Sequence, residues 1–278
     1  SSGGPGDYVW DDFIYHAAQN LLKEGIGVMY IDNFCSRGAR ETWRDQSRVP
    51  LINGAIDALM ALKLLQSHPR SNGKFGTTGH SRGGTNSFFL ADVKLTSKFL
   101  GGTKGFDAIL PEAAECRMAG FFAEPELTSN TTMLVVHGGA DDYTLAKFCK
   151  EHAERIKAPP GKVKIDIKEG WYHAWHAGKK PWKEKMAMTV HECPDFYVDN
   201  EGRFTNPIWV EWMVNKHKKY TSVEAFYEAA QKNPRKAWKT GFKVMKKEKC
   251  ISKGVTIGGD NADAYMPQFI NFFKDNLL

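Results

Sequence analysis

Gly79-His80-Ser81-Arg82-Gly83 stands between a strand-like run, Lys74–Thr78, and a helix-like run that opens at Gly83 and reaches Leu90. A serine on so tight a strand-to-helix turn brings neighbouring backbone close together. Glycines two residues to either side remove the Cβ atoms that would clash there. The helix that follows aims its unpaired N–H groups back at the turn, where negative charge developing on a bound group is stabilised. Ser81 is therefore the candidate nucleophile, and the backbone N–H of Arg82 a candidate donor to an oxyanion.

A serine hydroxyl needs a base, and the base needs an orienting partner. Working outward from the turn, helix and strand patterns alternate. Asp11–Lys23 carries apolar residues at helical spacing and ends at Gly25, and Gly27–Ile31 is a short apolar run suited to a buried parallel strand. Leu51–Leu65 reads as a helix, Phe106–Leu110 and Met133–His137 as strands, Tyr143–Ile156 as a helix and Val163–Ile167 as a strand. This rhythm predicts an α/β fold, a mostly parallel sheet with helices on both faces. The strand at Met133–His137 runs into Gly138-Gly139-Ala140-Asp141-Asp142, so Asp141 and Asp142 are both candidates for the acid, with Glu112 a weaker one. The next strand leads to His173, the candidate base, with His176 as its competitor. Acids and bases just past the C-terminal ends of strands lie on the edge where open α/β sheets place their sites.

Other chemistries find no support. The sequence has neither a G-x-x-x-x-G-K-[ST] loop nor a G-x-G-x-x-G turn, so nucleotide binding is not indicated. It has no H-E-x-x-H and no paired C-x-x-C, so neither a metal nor any other cofactor is expected. No apolar run approaches a membrane span. The net charge of +6 is concentrated between Glu211 and Lys253, where twelve Lys/Arg face four Glu. These lysines are interleaved with helix formers, which reads as a solvated helical face and not as a nucleic-acid surface. Thr221 and Glu224 have capping-box spacing for a helix in this stretch, and Asn261–Leu277 is an amphipathic helix. The five cysteines form no regular framework: free thiols are the expectation, with Cys193 and Cys250 the pair to form if the protein is exported.

Taken together, several segments resemble the dienelactone hydrolase family within the α/β hydrolases. They are Asp32-Asn33-Phe34 with Arg37-Gly38, Asp45-Gln46-Ser47, the Gly79–Gly84 elbow, Gly138–Thr144 with Cys149, His173-Ala174-Trp175, and Cys250–Leu278. The resemblance implies an α/β-hydrolase fold and a serine esterase whose catalytic triad is Ser81, Asp141 and His173. It selects Asp141 over Asp142. The family's founding enzyme is similar in fold but uses a cysteine nucleophile, so Ser81 points to a carboxylic ester or lactone as the small-molecule substrate. An acyltransferase, or an inactive ligand-binding protein on the same scaffold, is the alternative.

The resemblance also implies strands ahead of an oxyanion loop that here opens at Ser1-Ser2-Gly3-Gly4, with the second oxyanion donor near Ser2. A natural protein with residues before Ser1 is the resulting expectation, and a complete sheet built from these residues alone would refute it. Arg37 and Arg40 are candidates to bind a substrate carboxylate, and Trp171 and Trp175, flanking His173, to wall the pocket or pack the core. By the same resemblance, residues 1–178 and 259–278 form the core. Residues 179–258 are an insertion, expected as a lid, a pocket wall or a surface elaboration, and a periplasmic or secreted location is favoured.

Overall fold

The computed structural model describes residues 11–102 and 105–278. Its elements follow in chain order. The first part runs α1 (Asp11–Lys23), α2 (Ile52–Gln66), β1 (Gly76–His80), α3 (Arg82–Ala91), α4 (Val93–Leu100), β2 (Ala108–Glu112) and β3 (Phe121–Phe122). Next come β4 (Thr132–Gly138), α5 (Ala146–Arg155), β5 (Val163–Lys168), β6 (Lys179–Thr189) and β7 (Tyr197–Val198). The chain closes with α6 (Pro207–Val210), α7 (Val223–Lys232), α8 (Pro234–Lys247), β8 (Ser252–Gly259) and α9 (Ala262–Leu277).

Four strands form the main sheet in the order β1-β2-β4-β5, parallel throughout. The two faces are separated by the strand period of two. Ile109, Met133 and Val135 point to one side, where they pack with Leu59 and Leu62 of α2, Phe88 and Leu90 of α3, and Cys149 and Ala153 of α5. Ala108, Leu110 and Val136 point to the other, against Phe13 and Ala17 of α1 and Tyr265, Phe269 and Phe273 of α9. Strands buried on both faces explain why β2 is apolar along nearly its whole length. Helices on both faces of a parallel sheet, with a serine elbow leaving the first of the four strands, make this an α/β-hydrolase fold.

Three local readings change. Residues 27–31, expected as a strand, join no ladder among the described residues, and Val28, Met29 and Tyr30 are exposed. A strand is a pairing and not a property of one segment, so an apolar run alone does not make one. Helix α7 is capped by Ser222, whose side chain accepts from Ala225 N, and not by Thr221. Four of the five cysteines are not free thiols: Cys116 pairs with Cys149 and Cys193 with Cys250, with Cα–Cα distances of 5.0 and 4.7 Å.

The segment 179–258 is built on the antiparallel pair β6–β8. Between these strands, Trp209, Trp212, Met213, Phe226, Phe242 and Met245 gather into a core of their own. The Cys193–Cys250 disulfide closes the base of this unit. Chain-entropy reasoning assigns about 4 kcal/mol to a cross-link spanning 57 residues. The double variant Cys193→Ala/Cys250→Ala should therefore melt roughly 10 °C below the parent in thermal unfolding. An unchanged melting temperature would mean that the cross-link is not formed.

Candidate active site

Ser81 has φ 58° and ψ −117°, a conformation that side chains other than glycine's rarely adopt. The fold imposes it. The Ser81 N–H donates to Glu112 O at the tip of β2 (2.8 Å), while Ser81 O already accepts from Thr85 N in the first turn of α3 (3.0 Å). The chain must pass from strand to helix within one residue. Gly79 allows this, since a Cβ there would lie 2.6 Å from the Gly83 carbonyl carbon. A Cβ on Gly84 would likewise meet the backbone of Glu112. Arg82 is the first residue of α3, so its N–H is one of the four that an α-helix leaves without an intrahelical acceptor.

The acid and the base come together. His173 Nδ1 lies 2.7 Å from Asp141 Oδ2, and both side chains are buried. Asp141 Oδ1 accepts from the N–H groups of Tyr143 (2.8 Å) and Thr144 (2.9 Å). Thr144 Oγ1 sits 2.9 Å from Asp141 Oδ2 and 3.1 Å from His173 Nδ1. Burial pushes the Asp141 carboxyl up, but His173, His137 and the Thr144 N–H outweigh it and hold the group below its ordinary value. The acid is thus held as a carboxylate facing the imidazole Nδ1, which leaves Nε2 on the far side of the ring. The His173 ring lies between those of His80 and Tyr143, each with its centroid 4.8 Å away.

The competing candidates have other work. Asp142 accepts from Thr256 N (2.6 Å) and Thr256 Oγ1 (3.0 Å) on β8, and the His173 carbonyl accepts from Gly258 N on the same strand (2.6 Å). One strand therefore anchors both the acid loop and the histidine loop. His176 packs on Phe13 (4.4 Å between ring centroids), and burial pushes its imidazole down to about 3. Glu112 is buried, accepts from the Tyr265 hydroxyl, and is pushed up to about 7 by burial.

A cleft of ≈ 320 Å³, open mouth included, lies at the elbow. Thr42, Trp43, Gln46, Leu51, Arg82, Glu115, Tyr143 and Thr144 line it together with Ser81. The expected substrate contacts are not among these residues. Arg37 makes a bidentate ion pair with Asp57 (2.6 and 2.8 Å), so its fork is already matched. Trp175 is fully buried in the core beneath α9, and Trp171 packs beside it. Ser2 lies outside the described residues. The segment 179–258 supports the cleft from behind: Met188 O accepts from Gln46 Nε2 (2.8 Å), and Trp238 Nε1 donates to Gln46 O (3.3 Å).

Thr42, Trp43 and Glu115 are lining residues that sequence reasoning passed over, and Glu115 among them is ionisable. Glu115 lies three residues past Glu112, the last residue of β2, and its place beyond the strand's C-terminal end was the available signal. Gln46 belongs to the Asp45-Gln46-Ser47 segment already noted.

The sequence matches no protein-family model and no curated protein. Solved structures do resemble it. Est1E from Butyrivibrio proteoclasticus is 12% identical over 62% of this chain and 77% of its own, with a TM-score of 0.41. A dienelactone hydrolase from Anabaena variabilis is 15% identical over 62% and 74%, with a TM-score of 0.43. An α/β serine hydrolase without lid from Xanthomonas campestris is 13% identical over 60% and 67%, with a TM-score of 0.39. The fold assignment rests on this chain's own strand order and elbow.

The strained serine yields a stability signature. Ser81→Gly should raise the melting temperature by several degrees, because relief of such a backbone conformation is worth about 1–3 kcal/mol. Gly79→Ala should lower it by a comparable amount through overpacking against Gly83. Thermal melts of both variants that leave the midpoint where it is would contradict this elbow geometry.

Proposed function

We propose that this protein is a serine hydrolase that cleaves a carboxylic ester through an acyl-enzyme, with Ser81 as nucleophile, His173 as base and Asp141 as the orienting acid. The observations that carry the reading are the buried Asp141–His173 pair at 2.7 Å and a serine in a strained strand-to-helix turn. Ser81 is joined to both partners through shared neighbours. His80, next to it in the chain, packs against the His173 ring, and Tyr143 and Thr144 line the same cleft as Ser81 while touching His173 and Asp141.

In this mechanism the Ser81 hydroxyl attacks the ester carbonyl carbon and its proton passes to His173 Nε2. The Arg82 N–H stabilises the oxyanion, helped by the positive end of α3. The imidazolium returns the proton to the departing alcohol oxygen, and water then attacks the acyl-enzyme by the same route. Asp141 holds the Nδ1–H tautomer and stabilises the imidazolium. Ser2 is proposed as the second oxyanion donor on the family resemblance alone. Two disulfides support an oxidising compartment, hence an exported protein.

The test is a panel of p-nitrophenyl esters of increasing acyl length, with products analysed in water and in water with added alcohol. The parent should release free acid. Ser81→Ala should lose several orders of magnitude in kcat, and Asp141→Asn roughly 10⁴-fold, since the amide supports the wrong tautomer. Full activity in Ser81→Ala would refute the mechanism. Transfer to the alcohol in preference to water would make the protein an acyltransferase, and no turnover of any ester would leave a binding protein.

A further inference from the structure

The cleft beside Ser81 is not the plain apolar slot that a simple acyl chain would fill. Two buried ionisable side chains line it and do not pair with each other. The Arg82 guanidinium donates through Nη2 to Val49 O (2.5 Å) and Pro50 O (2.7 Å). The Glu115 carboxylate accepts from Arg117 N (2.6 Å) and Met118 N (3.0 Å), and both bonds fall on Oε1. Oε2 takes no donor from the protein among the described residues. The residue itself is held rigidly, for Thr85 Oγ1 donates to Glu115 O (3.0 Å) while accepting from Glu115 N (2.9 Å). Glu115 is only 7% exposed, yet Oε2 is not among the fully buried unpartnered atoms, so it is the accessible acceptor of this carboxylate.

Resting on the esterase reading above, we infer that Glu115 determines specificity: it selects esters whose acyl group carries a hydroxyl, which donates to Glu115 Oε2 while the carbonyl sits at Ser81. The charges in the cleft decide between donors. An ammonium group would also satisfy Oε2, but it would enter beside the buried Arg82 cation. A carboxylate would meet Glu115 itself. A neutral hydroxyl meets neither objection. Gln46 and Tyr143 add polar surface to the same wall.

The experiment compares p-nitrophenyl 2-hydroxy- and 3-hydroxybutanoate with their methoxy ethers, which keep the oxygen but cannot donate. It is run at pH 8.5, where Glu115, pushed up to about 7 by burial, is ionised. Arg82, Arg117, Asp141 and Tyr143 are the other titratable or charged groups near it. The parent should prefer the hydroxy ester over its ether, at one position at least, by roughly ten-fold or more in kcat/KM, the scale of a hydrogen bond to a charged group. In Glu115→Gln the amide oxygen keeps the Arg117 and Met118 bonds while the amide nitrogen turns a donor toward the cleft. The hydroxy-over-ether ratio should then fall by about ten-fold at that position. Because ratios are taken within one protein, reduced folding or active fraction in the variant cancels. Equal ratios in parent and variant, or no preference in the parent, would overturn the role of Glu115 while leaving the esterase intact. Absence of turnover of all four esters and of plain butanoate would overturn both.

Discussion

Ser81 sits where a strand must become a helix within a single residue, and the cost of that turn organises the rest of the molecule. Its backbone is held by Glu112 at the tip of β2 and by Thr85 in α3. A strained residue persists only where its surroundings over-determine it. Here they do: Gly79 and Gly84 let strand and helix approach to distances that a Cβ would forbid, and α3 is buried along its whole length. The strain and the packing are one feature seen from two sides.

The same logic extends to the two loops that face the elbow. Each leaves the C-terminal end of a parallel strand, where loops have no ladder to fix them. β8 supplies the missing constraint, binding the acid loop through Asp142 and the histidine loop through the His173 carbonyl. β8 is also the return strand of the 179–258 segment and pairs with β6. A large part of the chain that lines none of the cleft among the described residues thus fixes the positions of two residues that do the proposed chemistry. Its aromatic core and its disulfide stiffen that support.

Much of this was legible in the sequence, and the reasons differ by feature. The elbow, the strand–helix alternation and the closing helix are local patterns, set by glycine placement and apolar period. Chain order and position past strand ends pointed to His173 and left two adjacent acids, between which the family resemblance selected Asp141. What escaped depends on partners far away in the chain. Residues 27–31 are apolar enough for a strand, but apolarity does not supply a neighbour to bond. Arg37 looked available until Asp57, twenty positions on, proved to occupy it. Trp175 flanks the base in sequence, yet the positive φ of Ala174 (68°) intervenes and the indole lies in the core. Cys116, in the loop after β2, and Cys149, in α5, stand 33 positions apart and meet only in the folded core.

The central claim is that this scaffold activates Ser81 through His173. The most direct measurement is peptide-mapped mass spectrometry after brief exposure to a fluorophosphonate. The account predicts one adduct per chain, on Ser81, and none there in His173→Ala. An adduct on another serine, or equal labelling of Ser81 without His173, would contradict it.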